Sequence, residues 1–177
     1  FMAVKPYLGA IKEPTRKEPP EWTNNPKKPE AKLEVDFVFG YNSGTGGSNL
    51  RYNSSNDIVY HGAALGIVLK KNQSDSEGNT SGSFDHSKMT QQFCVGHDDD
   101  ISAFAISDDK SLIATGQMGK APTIKIWDAA SSLCLATLKH KDLKREVMAV
   151  SFNAAGDKMC GIGADDNHTC VLWSDKG

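Results

Sequence analysis

The side chains best able to do chemistry in this chain gather first at His97. The run Gly96-His97-Asp98-Asp99-Asp100 sets an imidazole beside three carboxylates, the raw material of acid–base catalysis. Catalysis would also need a nucleophile or a substrate pocket within reach, and no spacing around His97 supplies one. The four cysteines, Cys94, Cys134, Cys160 and Cys170, form no C-x-x-C pair, so they give no zinc framework and are expected as small buried strand residues. Gly116-Gln-Met-Gly119-Lys120 has the glycines and lysine of a phosphate loop. That motif requires Gly-x4-Gly-Lys-Ser/Thr, and Ala114 and Ala121 occupy both of its remaining fixed positions. No helix signal follows Gly44-Thr-Gly46-Gly47, so it is a turn and not a dinucleotide fingerprint. Asp75, Glu77 and Asn79 alternate with small residues as in a calcium loop, but His86 stands where the bidentate glutamate belongs. The expectation is a chain with no cofactor, no metal and no enzymatic activity.

The segments that would position these groups are strands. Ile101–Ser107 alternates apolar with small or polar residues, Ser111–Gly116 is short and apolar, and Thr123–Trp127 alternates again with Ile124 and Ile126 on one face. Such runs, separated by Asp, Gly and Pro, read as antiparallel strands. Opened by Gly96-His97 and closed by Trp127-Asp128, the unit resembles a WD repeat, the four-stranded blade of a β-propeller. His97 recurs as His140 and Trp127 as Trp173, close to the blade period of about 40–45 residues. The second copy runs through Val147-Met-Ala-Val-Ser-Phe152, Lys158-Met-Cys-Gly-Ile-Gly163 and Thr169-Cys-Val-Leu-Trp173. An earlier blade is expected over Asn49–Val95, from strands at 49–52, 58–61, 65–69 and 89–95. The second blade would span Ile101–Leu138, and the third would begin near Val147.

Composition sets outer bounds. The chain has 177 residues, 24% of them charged and 38% hydrophobic, with a net charge of −2. That allows a packed core and argues against a general polyanion binder, since nucleic-acid domains carry a marked basic excess. No apolar run reaches the roughly 18 residues of a membrane-spanning helix. The sequence shows neither a signal peptide nor a cysteine pattern of secretion, so an intracellular compartment is expected. The start at Phe1 points to a piece of a longer chain.

The N-terminal third has three characters. Residues 1–11 are apolar but interrupted by Pro6 and Gly9, and are expected to bury against a core built later. Residues 12–32 hold five of the seven prolines and an excess of Lys12, Arg16, Lys17, Lys27, Lys28 and Lys32 over glutamates. This is an extended connector, which is either merely solvated or a basic arm that touches an acidic partner. Trp22 within it is expected to pack on a neighbouring surface. Leu33, Val35, Phe37 and Phe39 alternate over 33–41 as a strand with one buried face. Asn72–Lys88 is polar, Ser/Gly-rich and expected to be mobile.

Together these residues resemble one family. FMAVKP and the following LGAIKEP at 1–14, LEVDFVFGY at 33–41, Asn49-Leu50 and DIVYHGAALGIVL at 57–69 are similar to the HELP motif and first blade of the echinoderm microtubule-associated protein-like family. GHDDDI, LIATGQ, IKIWD and GADDNHTCVLW are similar to its following blades. The resemblance implies a HELP-like segment over 1–56 and, over 57–177, the first blades of a propeller that continues further. It implies an all-β, WD40-type β-propeller with atypical blades, incomplete in this chain. The function implied is non-enzymatic binding of tubulin or microtubules, with other cytoskeletal or axonemal proteins as further partners and no nucleic acid or membrane. The place implied is the cytoplasm and cytoskeleton, the ciliary axoneme included; the alternative is a general WD-repeat scaffold in a ciliary or regulatory complex.

Two departures from the family pattern bear on mechanism. Asn42–Ser48 replaces the charged residues that follow Gly-Tyr in the family, so a contact made through those charges does not carry over. The structural set of a WD blade runs His, Ser/Thr, Asp, Trp. The second blade offers His97, Thr115 and Trp127, with Lys120 or Ala121 where Asp is expected; the third offers His140, Asp166 and Trp173, with Gly161 in place of Ser/Thr.

Overall fold

The computed structural model describes residues 30–44, 49–71 and 89–174. By internal contacts the chain divides into one unit at 1–35 and another at 36–177. Of the first, only residues 30–35 are described, and they form no regular element. The expectations for residues 1–11, for Trp22, for most of the connector and for the loop 72–88 lie outside the described residues.

Every regular element described in the second unit is a strand. These are β1 (Leu50–Tyr52), β2 (Ile58–Gly62), β3 (Leu65–Lys71), β4 (Met89–Cys94), β5 (Ile101–Ile106), β6 (Leu112–Gly119), β7 (Ile124–Asp128), β8 (Cys134–Leu138), β9 (Arg145–Phe152), β10 (Lys158–Gly163) and β11 (Cys170–Ser174). All pairings are antiparallel. β1 to β4 form one sheet in sequence order, and β5 to β8 form a second. β9 to β11 form a third, joined to the second where Met118 and Gly119 of β6 pair with Glu146 and Arg145 of β9. This is the strand arrangement of an incomplete β-propeller.

The repeat is visible in a turn that differs in sequence at each occurrence. Between the first two strands of each sheet the chain reads Asn53-Ser-Ser-Asn56, Ser107-Asp-Asp-Lys110 and Asn153-Ala-Ala-Gly156. In each, the fourth residue's N–H donates to the first residue's carbonyl, at 3.1, 2.8 and 3.0 Å. The fourth residue always takes a left-handed φ, of 61° at Asn56, 62° at Lys110 and 72° at Gly156. The first residue's side chain caps the turn: Asn53 Oδ1 accepts from the N–H of Asp57, Ser107 Oγ from that of Leu112 and Asn153 Oδ1 from that of Lys158. Asn and Ser serve here because a short side-chain oxygen reaches backbone N–H groups a few residues ahead.

Alternation on the strands sends side chains into two cores. Val59, Val68 and Cys94 pack with Ile113, Trp127 and Ala129, filling the space between the first and second sheets. Ala114 and Ile124 pack with Leu143, Val147 and Met159, joined by Trp173, between the second and third. Glycine sets the close approach there. A Cβ on Gly116 would lie 2.6 Å from the Val147 side chain, and one on Gly161 would lie 2.5 Å from Ile124 Cδ1.

Two expectations need correction. Residues 33–41 form no strand, and Leu33, Val35 and Phe39 are exposed. The contact is made by Val38, on the opposite parity. Its N–H donates to Gln91 Oε1 at 2.7 Å, and its carbonyl accepts from Gln91 Nε2 at 2.9 Å. Among the described residues, one side-chain amide thus bonds both backbone groups of Val38, as a neighbouring strand would. Phe37 and Phe39 pack on each other, ring centroids 4.8 Å apart. The cysteines are not uniformly buried: Cys94 is, Cys160 is half-buried, and Cys134 and Cys170 are exposed. The strand pattern marks two faces but cannot say which one a second sheet covers.

Candidate functional site

The strongest polar constellation lies in the second sheet, on the side facing the first. Period two along β6 puts Thr115 and Gln117 on one face, both buried. β7 brings Trp127 beside them, and the Gly96–Asp100 segment lays His97 across the end. Trp127 Nε1–H donates to Thr115 Oγ1 at 2.7 Å, and Thr115 Oγ1 meets His97 Nε2 at 2.7 Å. His97 Nδ1 meets Gln117 Oε1 at 2.6 Å, Thr123 Oγ1–H donates to the same oxygen at 2.9 Å, and Gln117 Nε2–H donates to Asp98 Oδ1.

Only one arrangement of protons satisfies every member. With His97 neutral and protonated at Nδ1, each group donates to the next, from Trp127 through Thr115, His97 and Gln117 to Asp98. Burial holds the His97 pKa below its ordinary value, and the nearby Lys125 ammonium adds to this; the Gln117 bond and Asp98 oppose it. The Gln117 hydrogen bond is the main reason Asp98 sits below the usual carboxylate range. Buried polar groups are costly unless all are paired, and here the pairing ties a loop to two strands. Thr115 is wholly buried with its oxygen committed on both sides, so the relay works as a clamp from the buried Trp127 out to the exposed Asp98.

The structure therefore brings His97, Thr115 and Trp127 together, and it supplies a member that sequence reasoning missed. The position sought at Lys120 or Ala121 is served by Gln117, reached by counting two residues along β6 from Thr115. Its signal was a polar residue in phase with the buried face.

His140, Asp166 and Trp173 are not brought together. His140 is partly exposed, with Nδ1 3.7 Å from Asp142 Oδ2. Asp166 is exposed and pairs with Arg145 at 2.7 Å. Trp173 lies against the second core. The physical reason is Gly161: a Cβ there would also stand 3.0 Å from the Trp173 ring. Apolar packing occupies the space a hydroxyl would need. The carboxylate that organises this turn is the neighbouring Asp165, which accepts from Asn167 N–H, Thr169 N–H and Thr169 Oγ1–H. Burial pushes its pKa up, and the bonds from Thr169 and Asn167 outweigh that and hold it below the ordinary value.

Of the basic residues of the connector, Lys32 is described and exposed; Lys12, Arg16, Lys17, Lys27 and Lys28 lie outside the described residues. An apolar cavity of about 240 Å³ opens between residues 37–41 and the first sheet, lined by Phe37, Phe39, Tyr41, Leu50, Ile58 and Leu69 among others. Among the described residues no cluster of three or more metal-ligating side chains occurs.

Comparison with known proteins gives two family matches in tandem. The HELP motif matches residues 28–67, and the WD domain, G-beta repeat, matches residues 88–128. The chain is 33% identical, over its whole length, to the ciliary WD repeat-containing protein ctxp80 of Euplotoides octocarinatus, of which it covers 24%. Over 82% of its length it is 27% identical to human echinoderm microtubule-associated protein-like 2, covering 22% of that protein. It is equally similar, over the same share, to the 77 kDa echinoderm microtubule-associated protein of Strongylocentrotus purpuratus, covering 20% of it. The chain thus spans a quarter or less of these relatives. The resemblance read from the sequence is borne out: a HELP-motif match is followed by a WD-repeat match, and the chain is similar to echinoderm microtubule-associated protein-like proteins.

Proposed function

We propose that this chain is part of a non-enzymatic microtubule-associated protein that binds tubulin or microtubules and works in the cytoskeleton, ciliary axonemes included. One observation carries the reading. A HELP motif precedes a WD repeat in a single chain, and relatives similar over most or all of that chain are named for microtubule association or for cilia. The mechanism is recognition by a stiff surface. Sheets pinned by two cores and by the His97 relay present fixed loops, and shape complementarity selects the partner.

The basic connector would add reach and encounter rate. Lys12, Arg16, Lys17, Lys27, Lys28 and Lys32 lie on a proline-rich stretch that favours extended backbone. An acidic protein surface is its natural counterpart. Exposed ionic contacts are worth about 1 kcal/mol each at most and fade with salt, so the arm steers and does not specify.

Co-sedimentation of the full-length protein with stabilised microtubules tests the reading. Wild type is expected in the pellet. Replacing the six basic residues with Gln should weaken pelleting and flatten its salt dependence; unchanged pelleting would remove the arm and leave the surface as binder. If wild type neither pellets nor binds free tubulin, the cytoskeletal reading fails. The similarity to a ciliary WD repeat-containing protein then favours a WD-repeat scaffold for other proteins.

A further inference from the structure

The second sheet carries, on its outermost strand, a hydroxyl that the His97 relay does not use. β8 ends its sheet and pairs with β7 alone among the described strands. In the β7–β8 register Lys125 stands directly opposite Thr137, and Lys125 Nζ–H donates to Thr137 Oγ1 at 3.0 Å. Lys125 lies two residues from Trp127 on β7, so both it and Thr137 share the face turned to the first sheet. Thr137 is exposed although that sheet is in place, and the third sheet covers the opposite face. Its exposure is therefore set with a sheet on each side. We propose that Thr137 is a phosphorylation site, modified by a protein kinase that selects basic residues after its acceptor, and that Lys125 is the cation that receives the phosphate.

The strand suits the transfer. An edge strand presents an extended backbone with one side unpaired, and the register shift at Ile126 and Trp127 loosens β8 further. The chain after the acceptor runs Leu138-Lys139-His140-Lys141. Lys139 and Lys141 are exposed, so an acidic substrate groove has cations to read. In the transfer the Thr137 hydroxyl gives its proton to the kinase's base, and its oxygen bonds the γ-phosphorus of ATP. The bond from that phosphorus to the bridging oxygen breaks, and ADP leaves.

The product is held by charge. A phosphate brings about −1.5 to −2 charge at pH 7 and three acceptor oxygens, and the Lys125 ammonium is already in hydrogen-bond contact with the oxygen that would carry it. Charge-assisted bonds of this kind are among the stronger ones. The same ammonium lies at the foot of the His97 loop, 6.0 Å from the Trp127 ring centre and 3.5 Å from where a Gly96 Cβ would stand. Burial is the main reason the His97 pKa lies low, and Lys125 adds to it; a phosphate on Lys125 would cancel that addition. The modification would thus draw Lys125 onto β8 and be felt at the relay.

The test uses the full-length protein, ATP and the catalytic domain of protein kinase C, which selects basic residues after its acceptor, followed by mass mapping. Trypsin places Thr137 in the peptide 126–139 with Ser131 and Ser132, and fragment ions tell them apart. Thr137 should carry the phosphate in the folded protein, and Thr137→Ser should keep it. Replacing Lys139 and Lys141 with Gln should slow transfer by about fivefold or more, at an unchanged urea midpoint. Phosphorus NMR then titrates the phosphothreonine. Its second pKa, ordinarily about 6, should lie at least about half a unit lower than in a Lys125→Gln variant, because a nearby cation favours the dianion. The proposal is overturned if Thr137 is labelled only after denaturation or not at all. It is also overturned if the phosphate titrates alike with and without Lys125.

Discussion

Thr115→Val removes one hydroxyl while nearly preserving shape, and so isolates the relay from the packing around it. The Thr115 oxygen accepts from Trp127 Nε1–H at 2.7 Å and meets His97 Nε2 at 2.7 Å, and Thr115 is wholly buried. Valine would strand the indole N–H and the imidazole nitrogen together. Each hydrogen bond contributes about 0.5–1.5 kcal/mol net, and each buried group left unpaired costs about 1–3 kcal/mol. His97 can recover part of its share by turning toward water, so the expected loss is about 2–4 kcal/mol. That is a large share of a typical domain's stability of about 5–15 kcal/mol.

Urea titration of the full-length protein, under conditions where unfolding is reversible, would read this as a lower midpoint at unchanged slope. Thr115→Ser keeps the oxygen and gives up a methyl, and should cost only about 1 kcal/mol. Trp127→Phe removes the donor, so combining it with Thr115→Val should be less than additive, with a coupling of about 1 kcal/mol or more. The reasoning is refuted if valine costs under about 0.5 kcal/mol, or if serine costs as much as valine. Either result would mean the methyl and not the hydroxyl holds the loop.

Installing the hydroxyl that Gly161 lacks should not rebuild a relay: Gly161→Ser drives a Cβ to within 2.5 Å of Ile124, and overpacking of this kind costs about 1–3 kcal/mol by urea midpoint. Gly116→Ala, aimed at Val147 at 2.6 Å, should fall in the same range. Stability should drop as pH falls below about 6.5, the ordinary histidine value. Burial lowers the pKa of both His61 and His97, so the unfolded chain takes up protons first, and the loss continues until the folded pKa values are passed. His61→Gln should flatten that slope in urea midpoints measured between pH 7.5 and 5.5. Asp165→Asn should destabilise measurably more than Asp166→Asn, because the exposed Asp166–Arg145 pair is worth at most about 1 kcal/mol.

Strand positions were legible because a sheet buried on one or both faces writes its parity into the sequence. β5, β7 and β10 fall within a residue or two of the runs that announced them. The segment 33–41 shows where that logic stops. Its alternation is as regular as that of β5, yet it pairs with no strand among the described residues, and Gln91 bonds both backbone groups of Val38. Parity reports which side chains share a side, and pairing depends on what the rest of the chain brings near. The relay was legible through His97, Thr115 and Trp127 because those types recur at blade spacing. Gln117 was hidden because its role depends on reach: a longer side chain on β6 does what a loop carboxylate was expected to do. The sequence reading names Asp166 where the turn is organised by Asp165, because turn geometry, which decides which of two adjacent carboxylates points inward, leaves no trace in residue type.

The second and third sheets thus solve one problem in two ways. In the second, a loop is fastened by a chain of hydrogen bonds running from the core tryptophan to a surface aspartate. In the third, the equivalent tryptophan lies against Gly161 and the Ile124 side chain, and the loop that carries His140 is held by apolar contact through Leu143. A hydrogen-bonded clamp has one geometry and fails abruptly when a member is lost. An apolar clamp tolerates small shifts at little cost, because its contacts are many and individually weak. Loops on the second sheet should therefore hold their positions closely, and those on the third should adapt. Amide exchange offers the comparison: the N–H groups of Ile101 and Met118, bonded to Ala63 and Asp100, should exchange more slowly than that of Leu143, bonded to His140. Equal rates would mean that the polar relay adds no rigidity beyond what packing already gives.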